Sequence, residues 1–213
     1  MKNNTQRLTV SGIMIALGTI LSILTLYRLP FGGSITVFSM VPVFLLAFVY
    51  GPKWGLLCGG VFGALQALLG ATTSSAFLGQ KAWGVLAILF LDYIAAFALL
   101  GLAGVFKNNI KSARLAMALG VVCAGFARLF AHFVSGVLVF GMWAEWYFTQ
   151  DNFYAFGAKI LETYSGWALA AIYSLIYNAS YMVPEIVLSV FAAVLLIHVK
   201  PIRNIAFENG KKM

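Results

Sequence analysis

The sequence predicts an all-α integral membrane protein, one domain over residues 1–213 made of six transmembrane helices, with both termini in the cytoplasm. Three observations predict it. Hydrophobic residues make up 62% of the chain and charged residues 9%, with a mean hydropathy of +0.94, whereas a soluble domain is about one quarter charged. Apolar runs fall at residues 8–27, 35–50, 54–71, 83–106, 115–142 and 167–199, to be compared with the about 20 residues that cross a bilayer as a helix. The basic residues between these runs are shared unequally between the two sides.

The first run follows Lys2 and Arg7, has no small-residue cleavage site behind it and passes into Tyr27 and Arg28, so it is expected to stay as a helix. Gly12 and Ala16, with Ser11 beside them, form a small-xxx-small pair that permits close helix approach, within the protein or to a partner. The second and third runs are short and joined by Tyr50-Gly51-Pro52-Lys53, and Pro42 interrupts the second. Tilted or irregular geometry is expected there, where protein covers the freed backbone groups. The fourth run begins near Trp83 and contains Asp92; the fifth contains Arg128 and His132; the sixth carries Tyr173, Tyr177, Asn178, Tyr181 and, after Pro184, Glu185. Residues 143–166 read as an external loop, acidic and aromatic through Glu145, Trp146 and Asp151, resting at the interface.

An even number of spans puts both termini on one side. That side receives Lys2, Arg7, Lys53, Lys107, Lys111, Arg114, Lys200, Arg203, Lys211 and Lys212; the other receives Arg28, Lys81 and Lys159. Ten against three makes the first side cytoplasmic. The net charge of +8 is thereby read as topology, and no nucleic-acid partner is expected.

Cys58 and Cys123 both lie in apolar runs, where a thiol behaves as a small hydrophobe, so neither a disulfide nor a metal framework is expected. The chain has no phosphate-binding loop of the G-x-x-x-x-G-K-[ST] kind and no H-E-x-x-H, C-x-x-C or G-x-S-x-G motif. Hydrolysis of ATP by this chain, an enzymatic activity and a cofactor are therefore not expected.

What remains is a set of polar residues at membrane depth, where an ionisable side chain costs at least ~3 kcal/mol on insertion scales and is a functional candidate by default. At about 1.5 Å per residue, Asp92 and His132 lie roughly 13 and 15 Å below the outer surface, and Tyr173 and Asn178 roughly 9 and 17 Å. Arg128 and His132 share a helix face at i, i+4, and Ser135 continues it. A carboxylate, an imidazole, an amide, hydroxyls and many rings suit a flat, cationic, heteroaromatic ligand. A structural reading stays open beside this one: Asp92 pairs permanently with Arg128, Asn178 joins helices, and the tyrosines mark an interface. Arg128 needs a counter-ion, Asp92 or Glu185. A self-sufficient transporter of an organic cation, exchanging a proton at Asp92 or Glu185, also fits these residues.

Four ordered blocks resemble one family: SMVPVFLLAFVYGPKWGLLCGGVFGALQALLG (39–70), LDYIAAFALLGLAG (91–104), FARLFAHFVSGVLVFG (126–141) and YSLIYNASY (173–181). They look like the thiamine-specific S-component, of the ThiT/YuaJ type, of energy-coupling factor (ECF) vitamin transporters. The resemblance implies the six-helix S-component fold, capture of thiamine from outside at a prokaryotic cell membrane, and ATP-driven uptake with an EcfT transmembrane subunit and EcfA-type ATPases. It implies that Asp92 and Tyr93 face the cationic ring, that His132 and the stacking Phe140 hold the ligand, and that Tyr173 and Asn178 complete the site. It further implies an outer lid at Leu29 to Ser34, and an EcfT-facing surface at Gly12 and Ala16. Three features depart from the family pattern. Asp92 stands where some members have glutamate. The lid has no tryptophan, leaving Phe31 or Tyr27 to replace it. The outer connection 143–166 is longer than expected, so that Trp143, Trp146 and Trp167 would form an added cover. An S-component for another vitamin or a thiamine precursor is the neighbouring alternative.

Overall fold

The computed structural model describes residues 4–208; Lys2, Lys211 and Lys212, used above to orient the chain, lie outside the described residues. Helix α1 (Asn4–Ile23) leads into an antiparallel hairpin of β1 (Thr25–Arg28) and β2 (Ser34–Thr36). Then come α2 (Val41–Tyr50), α3 (Pro52–Thr73), α4 (Ala82–Gly104), α5 (Ala113–Phe148), α6 (Tyr154–Thr163), α7 (Gly166–His198) and α8 (Lys200–Glu208). Helices α1, α3, α4, α5 and α7 are each long and apolar enough to cross a membrane.

The second predicted span differs from expectation. Residues expected to be helical from position 35 instead complete the hairpin, and α2 has 10 residues, about 15 Å of helix against a hydrocarbon core of about 30 Å. It is an internal element: every residue from Val41 to Phe48 is buried. Pro42 lies in its first turn, where the missing N–H breaks no hydrogen bond, so it starts this helix instead of interrupting it. The outer connection is also less irregular than predicted. Residues Ala144–Phe148 continue α5 and Tyr154–Thr163 form α6, with Phe148 packed into the core at 1% exposure.

Close helix contact explains how α3 and α4 position the site. Gly59 and Gly63, one turn apart on α3, face the carbonyl oxygens of Phe97 and Tyr93, and an added Cβ at either would collide with them. Helix α5 packs chiefly on α7 and on the inner part of α4. The core divides into two clusters. One gathers Phe44, Phe48, Phe62, Leu100 and Met117, where α2 is wrapped by the other helices. The other is aromatic, with Phe140, Phe148, Tyr173, Tyr177 and Tyr181.

The outward faces are apolar. Val187, Phe191 and Leu195 follow one another at four-residue spacing on α7, Phe126 and Phe130 do so on α5, and all five are exposed. So continuous an apolar surface needs lipid around it. Lys111, Arg114 and Arg203 border one shallow depression, so the start of α5 and the C-terminal helix share an end, as the charge partition requires. Lys107 is tucked in nearby, its Nζ donating to the Val49 carbonyl at 3.0 Å, and burial lowers its pKa.

Candidate ligand-binding site

A cavity of about 200 Å³ opens beneath the hairpin among α3, α4, α5 and α7. All six residues expected to hold a ligand line it: Asp92, Tyr93, His132, Phe140, Tyr173 and Asn178. Two of the helices that carry them are locally widened. Residues Leu89–Ala95, around Asp92 and Tyr93, and Gly136–Phe140, ending at Phe140, are π-helical. Such turns shift the register of the side chains that follow and recur at functional sites.

The ionisable residues form a chain. Arg128 Nε donates to His132 Nε2 at 3.1 Å, and His132 Nδ1 lies 2.8 Å from Asp92 Oδ1. Because a guanidinium can only donate, Nε2 must accept; the imidazole is then neutral, with its proton on Nδ1 and directed at Asp92. Ser135 donates to the other oxygen, Oδ2. Both oxygens of Asp92 are thus held by uncharged donors, and the carboxylate is oriented without direct contact to a cation.

Arg128 is not paired as expected. Among the described residues no carboxylate lies within 4.0 Å of it, and neither Asp92 nor Glu185 is its direct counter-ion. Its guanidinium sits 4.1 Å from the centre of the Phe97 ring and donates Nη1 to Met40 Sδ, so a ring face and a polarisable sulfur supply what a second charge would. Glu185 has another task. Its Oε2 accepts from the Thr36 backbone N–H at 2.8 Å and its Oε1 from the Thr36 hydroxyl at 2.6 Å, which fastens the hairpin to α7.

The hairpin roofs the cavity and is held at several points. Tyr177 donates its hydroxyl to the Pro30 carbonyl and accepts from Gly33 N–H at 3.1 Å. On the α3 side, Arg28 Nη1 reaches the Thr73 carbonyl at 3.3 Å, and Phe31 N–H donates to Ser75 at 3.2 Å. Phe31 lines the cavity with a φ of 64°, the left-handed region that non-glycine residues rarely adopt. Its ring is stacked on Trp143 at 5.4 Å, edge-on to Trp146 at 5.7 Å, and 6.1 Å from Phe140. Of the expected cover residues, then, Trp143 and Trp146 pack against Phe31 of the hairpin turn, whereas Trp167 is 71% exposed and outside that cluster. Tyr27, the other lid candidate, is 62% exposed on β1 and does not line the cavity.

On α7, Asn178 donates to the Ser174 and His132 carbonyls, at 2.8 and 3.3 Å, while Tyr181 donates to its Oδ1 at 2.8 Å. The amide both joins helices and keeps Oδ1 turned to a defined place, with one lone pair to spare. Sequence reasoning missed Thr36, whose bonds to Glu185 need the hairpin to be known, and did not single out Gln66, a lone amide in an apolar helix that lines the cavity. Gly12 and Ala16 are both exposed on α1, and a Cβ at Gly12 would meet nothing within 4 Å, so internal packing is not their use.

A multi-pass helical domain that encloses a small, aromatic, carboxylate-bearing cavity under a hairpin belongs to the class of membrane proteins that take up solutes. The chain belongs to the family described as "Thiamine transporter protein (Thia_YuaJ)", whose profile matches residues 8–149. It is 32% identical over 206 residues to the thiamine transporter ThiT of Bacillus subtilis, covering 92% of each chain. A solved structure of ThiT from Listeria monocytogenes has the same fold, at 23% identity and a TM-score of 0.65, over 93% of this chain and 96% of that one.

Proposed function

We propose that this protein is the S-component of an ECF-type transporter and captures thiamine from outside the cell membrane. The observation that carries this is the state of Asp92: a carboxylate in the wall of an aromatic cavity, fixed by neutral His132 and Ser135, so that its charge is left for a ligand cation. Phe140 and His132 flank the ligand rings, Asn178 Oδ1 accepts from the aminopyrimidine, and Tyr93 or Tyr173 supplies a hydroxyl. Phe31 closes the site from above.

The absence of a phosphate-binding loop leaves the energy for uptake to other subunits, EcfT and EcfA-type ATPases. Gly12 and Ala16, on the lipid-facing side of α1, give EcfT a place for close approach. Titration of the purified protein with thiamine, followed by quenching of its five tryptophans, tests the ligand. Saturable binding below micromolar concentration is expected, weakened at least about a hundredfold in Asp92→Asn, in keeping with a desolvated charge contact. Undiminished binding by that variant would remove the mechanism. Uptake into proteoliposomes that requires ATP and the partner subunits, and ignores an imposed pH gradient, separates this reading from a self-sufficient proton-coupled carrier.

A further inference from the structure

Among the described residues, two buried side-chain nitrogens have no hydrogen-bond partner, Arg7 Nε and Gln66 Nε2. Arg7 is accounted for, because its guanidinium lies 3.6 Å from the centre of the Trp54 ring. Gln66 has no such neighbour. It lies on α3, on the same face as Gly70 and Thr73 at i, i+4 and i+7, and all three line the cavity. Helix α3 approaches α4 through Gly59 and Gly63 on one side of it, and through Gly70, where an added Cβ would strike the Tyr93 hydroxyl, on the other. A carboxamide is thus set among small residues, beside the tyrosine that follows Asp92.

Asp92, Asn178 and Arg28, which also line the cavity, have hydrogen-bond partners within the protein. Asp92 is taken by His132 and Ser135, Asn178 by Ser174, His132 and Tyr181, and Arg28 by Thr73. A glutamine that only braced two helices would spend its NH₂ group on a carbonyl. A buried donor left unused is unfavourable in the empty protein and is satisfied when a ligand brings an acceptor. We infer that Gln66 is a specificity-determining residue of this cavity, whose side-chain amide donates to a hydrogen-bond acceptor on an uncharged part of the ligand. This rests on the thiamine reading, in which a pyrimidine ring nitrogen or the hydroxyethyl oxygen is the acceptor, and it adds a contact on α3 to a site otherwise built from α4, α5 and α7.

Gln66→Met keeps the length and volume of the side chain and removes the donor. Two readouts should move in opposite directions: the ligand-free protein melts at the same temperature or higher, because an unsatisfied amide is gone, while the thiamine Kd rises about tenfold or more. Gln66→Glu, which places an acceptor where a donor is needed, should also lose affinity although it adds a negative charge beside a cation. Wild-type affinity in Gln66→Met overturns this inference and leaves the thiamine reading intact. A wild-type protein that does not bind thiamine overturns both. Failure of Gln66→Met and Gln66→Leu to fold assigns the residue a structural role and likewise overturns the inference.

Discussion

At the scale of single residues, the hairpin turn over the cavity is held by side-chain atoms whose loss can be measured. The Tyr177 hydroxyl joins the backbone of Pro30 to that of Gly33, on both sides of the turn that carries Phe31. Tyr177→Phe removes that bridge and leaves the Gly33 N–H, buried beneath it, without its acceptor, at a cost of about 1–3 kcal/mol. Because the hydroxyl restrains the roof of the cavity, the effect should fall on ligand dissociation. We expect koff for thiamine to rise about tenfold with kon nearly unchanged, as stopped-flow tryptophan fluorescence would show. Tyr27→Phe, on the exposed side of the same hairpin, should change neither rate; equal effects from the two would mean that the hydroxyl bridge does not hold the lid. The sequence made Arg128, His132 and Ser135 legible because their i, i+4 and i+3 spacings put them on one helix face, and Asp92 because a carboxylate at membrane depth stands out by its cost alone; neither signal needs tertiary knowledge. The partners of Arg128 were not legible, since Met40, just before α2, and Phe97 on α4 reach it from distant parts of the chain and neither type of residue advertises itself as a partner for a cation.

Element by element, the positions of Asp92 and Tyr93 depend on how closely α3 and α4 approach. An added methyl at Gly63 meets the Tyr93 carbonyl, a backbone group that cannot swing aside. Gly63→Ala should therefore destabilise the protein by about 1–3 kcal/mol, as overpacking does, and weaken thiamine binding as well, because the π-helical turn around Asp92 and Tyr93 is displaced. Gly12→Ala, with open space around it, is the control and should leave the affinity unchanged and the melting temperature the same or higher. If the two alanine variants melt alike, the glycine contact is not what sets the helix spacing. Hydropathy revealed five of these helices because each is long enough to satisfy the bilayer by itself. It mistook the hairpin for helix ends, since Thr25 and Ile35 are as apolar in pattern as their neighbours, although Pro30, Gly32 and Gly33 between two β-prone stretches are a turn signal. The two π-helical segments left no trace in the sequence: one inserted residue per turn follows from packing, and no residue type encodes it.

For the whole molecule, function depends on which way the cavity faces. The hairpin and the cavity lie at the end of α3 that carries Thr73, and Lys111, Arg114 and Arg203 gather around one depression elsewhere on the molecule. By the positive-inside rule, the basic residues beside Lys53, Lys107 and Lys200 assign that end to the cytoplasm, and the proposed function then requires the cavity to open outward. Two single-cysteine variants in a background with Cys58 and Cys123 replaced by alanine would test this orientation. Tyr164→Cys lies between α6 and α7, and Lys111→Cys before α5; both positions are exposed. A membrane-impermeant maleimide applied to intact cells should modify Tyr164→Cys at once and Lys111→Cys only after permeabilisation. The opposite pattern would place the hairpin and the cavity mouth in the cytoplasm, and a protein with that orientation could not capture its ligand from outside however tightly the cavity bound it.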